Sequence, residues 1–366
     1  MFKIAQLGSF HRNIGDNVAI YNIRQKMIDL QPSDKQGISW INLDIRTFHN
    51  RDNNSDHAKG VFRDLQENHN IDMLLIGGGG LIENKTSYKN GWKLPFTKEV
   101  LSEIKVPIVV FAAGINYFYN FETLSEISKQ EVINLCEASS LFSLRNDGSI
   151  EIFKTFSDLE VEELPDPGLL FDHDIFKFER KEKVVNGFFQ PAWNRNAKQT
   201  RGRRLDNKNI SKINDFCFKN QLVSFCHTKK DYFFPWNNEK KYVIDKEEFP
   251  EICKFTNTWR VAKYYHSYDF SVAMRGHGQL MAIGLNLPSI YLSTQPKVLD
   301  FSQKNGFSQY TVDIRKDDWH QQLEEKTKLL KNDKDFLEQW YDIRDRNMVK
   351  YRSEINDFCK KIWELL

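Results

Sequence analysis

Phe270-Ser271-Val272-Ala273-Met274-Arg275-Gly276-His277-Gly278-Gln279-Leu280-Met281-Ala282-Ile283-Gly284 holds the fold in miniature. The apolar run Phe270 to Ala273 reads as a buried strand, and the small apolar stretch Gly278 to Gly284 reads as a helix packed closely on a sheet. A strand that passes into a helix through so short a loop belongs to a βαβ unit, the building block of parallel sheets covered by helices. The same alternation extends along the chain on both sides. Further strands are expected at Phe2 to Leu7, Ile38 to Leu43, Ile71 to Ile76, Ile108 to Ala112, Leu141 to Leu144, near Val184, and at Val223 to Cys226, Ser289 to Leu292 and Tyr310 to Asp313. Helices are expected between them at Asn17 to Leu30, Ser55 to Asn68, Phe96 to Ile104, Lys129 to Ala138, Ile210 to Asn220, Phe249 to Tyr265, Pro296 to Asn305 and Trp319 to Lys331.

The pattern predicts an α/β fold in two units, 1–172 and 183–333. The segment Asp166 to Lys183 links them, and the helical stretch 334–366 returns to brace the first. The length of 366 residues suits about two domains. Lys plus Arg at 52 against Asp plus Glu at 50 leaves a net charge of +2, which speaks against non-specific nucleic-acid binding. The longest apolar run, Val106 to Ile115, is about half the roughly 20 residues of a membrane span. The start lacks signal-peptide features, so a cytoplasmic location is expected. Five scattered cysteines without a C-x-x-C spacing (Cys136, Cys217, Cys226, Cys253 and Cys359) read as reduced core residues, and not as disulfides or a metal cluster.

Ligands of open parallel sheets bind beyond the carboxyl ends of the strands, so the loops there are where chemistry is expected. In Gly8 to Asn17, Asp16 reads as a helix cap or as a functional carboxylate. Gly77-Gly78-Gly79-Gly80 reads as a tight turn whose backbone N–H groups approach an anion, although it is neither a Walker loop nor G-x-G-x-x-G. Arg145 ends another strand, offering its fork to an anion or pairing with Asp147. Arg275 and His277 flank a glycine where a helix starts, joining a fixed cation, a titratable ring and free N–H donors. Lys297 adds a positive contact or stays solvated. His227 ends a further strand and either faces the cleft or packs.

Taken in order, Asn13-Ile14-Gly15-Asp16, Gly77 to Gly80, Ala112 to Ile115, Arg145-Asn146-Asp147-Gly148-Ser149, Asp166-Pro167-Gly168-Leu169-Leu170 and Arg275-Gly276-His277 resemble the polysaccharide pyruvyl transferase family. The segment Gly284 to Gly306, with Pro288 and Lys297, fits the same pattern. Two departures are Asn146 inserted between Arg145 and Asp147, and Gly168 where the family usually has alanine. The resemblance implies two Rossmann-like domains facing a central cleft in a GT-B-like arrangement. It also implies transfer of a pyruvyl group from phosphoenolpyruvate to a sugar of a surface polysaccharide, such as an exopolysaccharide or capsule, or of its lipid-linked precursor. The product would be a cyclic ketal. A lipid-linked acceptor would bring the enzyme to the inner face of the membrane as a peripheral protein.

Such a donor carries a carboxylate and a phosphate, which Arg275, Arg145, Lys297 and the helix N-terminus at Gly276 would neutralise without a metal or other cofactor. His277 is the expected proton donor to the methylene carbon, and Asp16 or His227 the expected acceptor of the hydroxyl proton. The sugar would lie near Asn13, Gly78 and Gly79. The competing expectations are a glycosyltransferase with a nucleotide-sugar donor and a non-catalytic carbohydrate binder on the same fold. Oligomeric state is not indicated by the sequence.

Overall fold

A computed structural model describes residues 1–10, 13–48, 55–83, 96–117, 124–170, 179–192, 205–228, 230–231, 234–235 and 258–366. Cys253 and the 249–257 part of the expected helix lie outside these residues, as does 171–178 of the expected linker. Strands β1 (Phe2–Gly8), β2 (Ile38–Asp44), β3 (Met73–Glu83), β4 (Ile108–Asn116), β5 (Leu141–Arg145) and β6 (Glu162–Leu164) form a parallel sheet in the order β2-β1-β3-β4-β5-β6. Strands β7 (Gly187–Gln190), β8 (Val223–Ser224), β9 (Phe270–Ala273), β10 (Ser289–Ser293) and β11 (Thr311–Asp313) form a second parallel sheet in the order β11-β10-β9-β7-β8. Central strands such as Met73-Leu74-Leu75-Ile76 are apolar at every position because helices cover both faces of the sheet.

The helices are α1 (Ile14–Asp29), α2 (Ser55–Glu67), α3 (Lys98–Leu101), α4 (Glu126–Ala138), α5 (Ser149–Phe153), α6 (Asn207–Lys219), α7 (Thr258–His266), α8 (Gly276–Gly284), α9 (Pro296–Lys304), α10 (Trp319–Asn332) and α11 (Lys334–Leu365). Strand order reverses between β1 and β3 in the first sheet and between β7 and β9 in the second. These are the points where ligand crevices open in such sheets, and α1 and α8 start from them. The two units meet there: Ile14 and Val18 of α1 share a buried cluster with Phe188, Phe225, Tyr265 and Met281 of the second unit.

Five local differences from the sequence expectations have physical causes. Helix α1 starts at Ile14, because the Asn13 side chain accepts from Gly15 N–H at 3.1 Å and caps it, so Asp16 is not the cap. Strand β3 runs through all four glycines, with a bulge between Gly79 and Ile82, instead of stopping at Ile76 in a turn. Thr97 caps α3, which leaves Phe96 outside a helix far shorter than expected. The unexpected β6 lies against β5, pairing Arg145 with Leu164. Beyond it, Asp166 to Leu170 is buried and not an exposed linker, and Gly284 lets α8 press its backbone on Leu169 O.

Helix α11 belongs to both units. Leu337, Trp340, Tyr341, Met348 and Tyr351 join the core of the second unit, while Ile355, Phe358, Cys359, Ile362 and Trp363 join a core of the first. Its 32 residues span about 48 Å. Among the described residues no helix is long and apolar enough to cross a membrane. Cys217, Cys226 and Cys359 are buried free thiols, and Cys136 is partly buried.

Candidate active site

Between the facing strand ends lies a cavity lined by Arg145, Asp147, Asp166, His277 and Lys297, with Leu280 and Phe301 as apolar wall. Arg145 ends β5 and is only 2% exposed. Its guanidinium occupies the space a side chain on Gly114 would fill, so a glycine in β4 is the condition for its seat. Nη1 donates to Asp166 Oδ2 at 2.5 Å and Nη2 lies 2.8 Å from Asp147 Oδ2, while Nε has no hydrogen-bond partner. Burial works against the charge, but Asp147 and Asp166 hold its pKa above the usual value.

Asp166 is buried beyond β6, at the start of the turn Pro167–Leu169, and Gly168 N–H donates to its Oδ1 at 2.7 Å. Burial alone would raise its pKa, but the charges of His277 and Arg145 and the hydrogen bonds it accepts hold the carboxyl well below the usual range. His277, in the first turn of α8, enters between two glycines of the first unit. A Cβ on Gly15 would overlap the His277 side chain, and one on Gly168 would lie 3.2 Å from its Cδ2. Its Nδ1 is 3.6 Å from Asp16 Oδ1 and its Nε2 is 3.5 Å from Asp166 Oδ2.

Lys297 crosses from α9 to donate to Asn116 Oδ1 at 2.9 Å, and Asn116 Nδ2 donates in turn to Gly80 O at 2.6 Å. Burial, with the Arg145 charge behind it, pulls the Lys297 ammonium down to about 8. Gly276 lies beside it and lines the cavity, and the first N–H groups of α8 have no intrahelical acceptor there.

The expected residues thus divide. Arg145, Lys297, Gly276 and His277 line one cavity, and Asp16 faces His277 from α1, its Oδ2 accepting from Asn13 Nδ2 at 2.8 Å. Asn13 is engaged as cap and as donor to Asp16. Arg275 is not a free fork, because its Nε donates to buried Asp231 at 2.8 Å and its Nη2 to the other oxygen of the same carboxylate and to Thr228. His227 is fully buried, its Nε2 2.9 Å from Tyr265 Oη and its backbone O accepting from Ile14 N–H. Burial, then Arg275 and His277, push its pKa well below the ordinary value, so it stays neutral and packs. Gly78 and Gly79 are buried against α1: a Cβ on Gly78, whose φ is +84°, would meet the backbone of Ile20, and one on Gly79 would meet Asp16. They make room for α1 and do not present a surface to a sugar.

Asp166 is the residue that sequence reasoning missed. Its signal is Asp-Pro-Gly, which carries the family resemblance and also starts the expected linker but suggests no role for the carboxylate. With Asp16 and Asp147 it sets three carboxylates beside Arg145, Lys297 and His277, and Arg145 is already paired with Asp147 and Asp166.

Fold and site define a two-domain α/β protein of GT-B-like architecture, with a cleft at the facing strand ends equipped to hold an anion and move a proton. A family model described as polysaccharide pyruvyl transferase matches residues 13–296, and the chain belongs to that family. No curated protein matches the sequence. Among solved structures, the chain is similar to S. aureus MnaA in a co-structure with UDP, at 12% identity and TM-score 0.57, covering 94% of this chain and 91% of that one. It is also similar to UDP-GlcNAc 2-epimerase from Neisseria meningitidis bound to UDP-GlcNAc, at 10% identity and TM-score 0.54, covering 100% and 99%. At such identities the likeness is one of fold.

Proposed function

We propose that this transferase uses phosphoenolpyruvate as donor and forms a pyruvate ketal on a sugar of a polysaccharide or of its lipid-linked precursor, in the latter case at a membrane surface. The observation that carries the reading is the convergence of Arg145 and Lys297, one from each unit, on a cavity that His277 also lines. In this reading Arg145 Nε and the Lys297 ammonium take the donor's carboxylate and phosphate, with the N-terminus of α8 beside them. A sugar hydroxyl adds to C2 of the enol, losing its proton, while C3 gains one from His277. Phosphate then leaves C2, and a second hydroxyl attacks there to close the ring, its proton passing to the departing phosphate. Asp16, beside His277 Nδ1, receives the hydroxyl proton.

The test is incubation of the purified protein with phosphoenolpyruvate and a panel of sugar acceptors, following phosphate release and acceptor mass. Phosphate release with gain of a pyruvyl group is the expected result. Transfer of a hexose from a nucleotide sugar in parallel reactions, with phosphoenolpyruvate inert, would overturn the reading.

A further inference from the structure

His277 offers two nitrogens, and their surroundings differ. Nε2 is sealed from solvent, with no hydrogen bond of good geometry, and its facing acceptor is Asp166 Oδ2 at 3.5 Å. That carboxylate cannot turn away: Gly168 N–H holds one oxygen at 2.7 Å, Arg145 Nη1 holds the other at 2.5 Å, and both bonds are buried. It also stays ionised, so it can only accept. Nδ1 faces Asp16 Oδ1 at 3.6 Å, on a side chain that keeps 16% exposure and whose other oxygen accepts from Asn13 Nδ2. The contacts of Gly15 and Gly168 on the ring leave the imidazole little freedom to exchange these two environments.

We propose that Asp166 is a positioning residue that holds the proton on His277 Nε2, so that the proton His277 exchanges with substrate leaves and returns at Nδ1, on the Asp16 side. The proposal rests on the functional reading above and names the atom at which its proton transfer occurs. An imidazole exchanges protons at the nitrogen whose partner can change, and the hydrogen bond at the other nitrogen selects the tautomer. With Nε2–H turned to a fixed carboxylate, a second proton is shared between Nδ1 and Asp16. When C3 of the donor takes that proton, the one released by the attacking hydroxyl replaces it through Asp16. The step consumes one proton and releases one, and the pair ends as it began.

The tautomer can be read without substrate. In protein labelled with ¹⁵N-histidine and titrated until the ring is neutral, long-range ¹H–¹⁵N spectra, with His277 assigned through its loss in His277→Gln, should show a protonated Nε2 and a bare Nδ1. A protonated Nδ1 with a bare Nε2 would overturn the proposal. Asp166→Asn should shift the population towards the other tautomer and lower kcat about a hundredfold or more, whereas Asp16→Asn should leave Nε2–H in place. An Asp166→Asn protein that keeps the wild-type tautomer and kcat also overturns it. If Asp166→Asn does not fold, the wild-type spectrum still decides. Absence of pyruvyl transfer by the wild type would instead sink the functional reading, since the tautomer is measured independently of any reaction.

Discussion

The charge of Lys297 is conditional. With its ammonium pulled down to about 8 by burial and by Arg145, it is protonated below that pH and neutral above it, the reverse of a carboxylate's behaviour. In the free enzyme, kcat/KM for an anionic donor should therefore fall about tenfold per pH unit above about 8. Lys297→Arg, whose guanidinium does not titrate in that range, should move the limb to higher pH; an unmoved limb would assign it to another group. Arg275 makes a different kind of contribution, since its bidentate partner Asp231 is fully buried. Arg275→Ala should cost about 3–5 kcal/mol by removing the cation that faces that buried carboxylate and change the donor KM little. Denaturant unfolding checks the first part, and a raised donor KM in a protein of unchanged stability would return Arg275 to the donor. In the sequence, Arg145, His277 and Lys297 were legible because each sits where a strand end opens to ligand. The partners were not: Asp231 and Asp166 reach their cations through loop geometry and sheet register, which no local pattern encodes.

At the scale of elements, the glycines work as sockets. Gly114 in β4 makes room for the Arg145 guanidinium, Gly15 in α1 makes room for His277, and Gly80 in β3 makes room for Asn116. Gly114→Ala should evict Arg145 from its seat and lower donor kcat/KM about a hundredfold, with circular dichroism still native. Wild-type kinetics in that variant would mean that the guanidinium works from elsewhere. The glycine run 77–80 stands out in the sequence as a special backbone stretch, but residue type alone does not distinguish a turn from a bulged strand that makes room for a helix. The three-residue strand β6, Glu-Glu-Leu, carries no hydrophobic signature of its own. It exists because β5 offers it an edge.

Across the whole molecule, α11 closes the architecture. Its first half completes the second core and its second half completes the first, where Phe358 meets Phe111 edge-on with ring centroids 5.0 Å apart. Phe358→Ala should lose about 3–5 kcal/mol, read by denaturant unfolding. A change under about 1 kcal/mol would show that the return of the helix contributes little. The returning helix was legible as a periodic stretch with no strand after it. That it serves both cores was not, because its apolar stripe looks the same whichever sheet it covers.

The site draws on residues from Asn13 to Lys297 and on both sheets, so none of its ion pairs with His277 exists until the two units dock. Contacts so distant in sequence form late. On refolding from denaturant, helical signal should therefore recover before catalysis does, and the lag between them measures the time the two halves need to find each other.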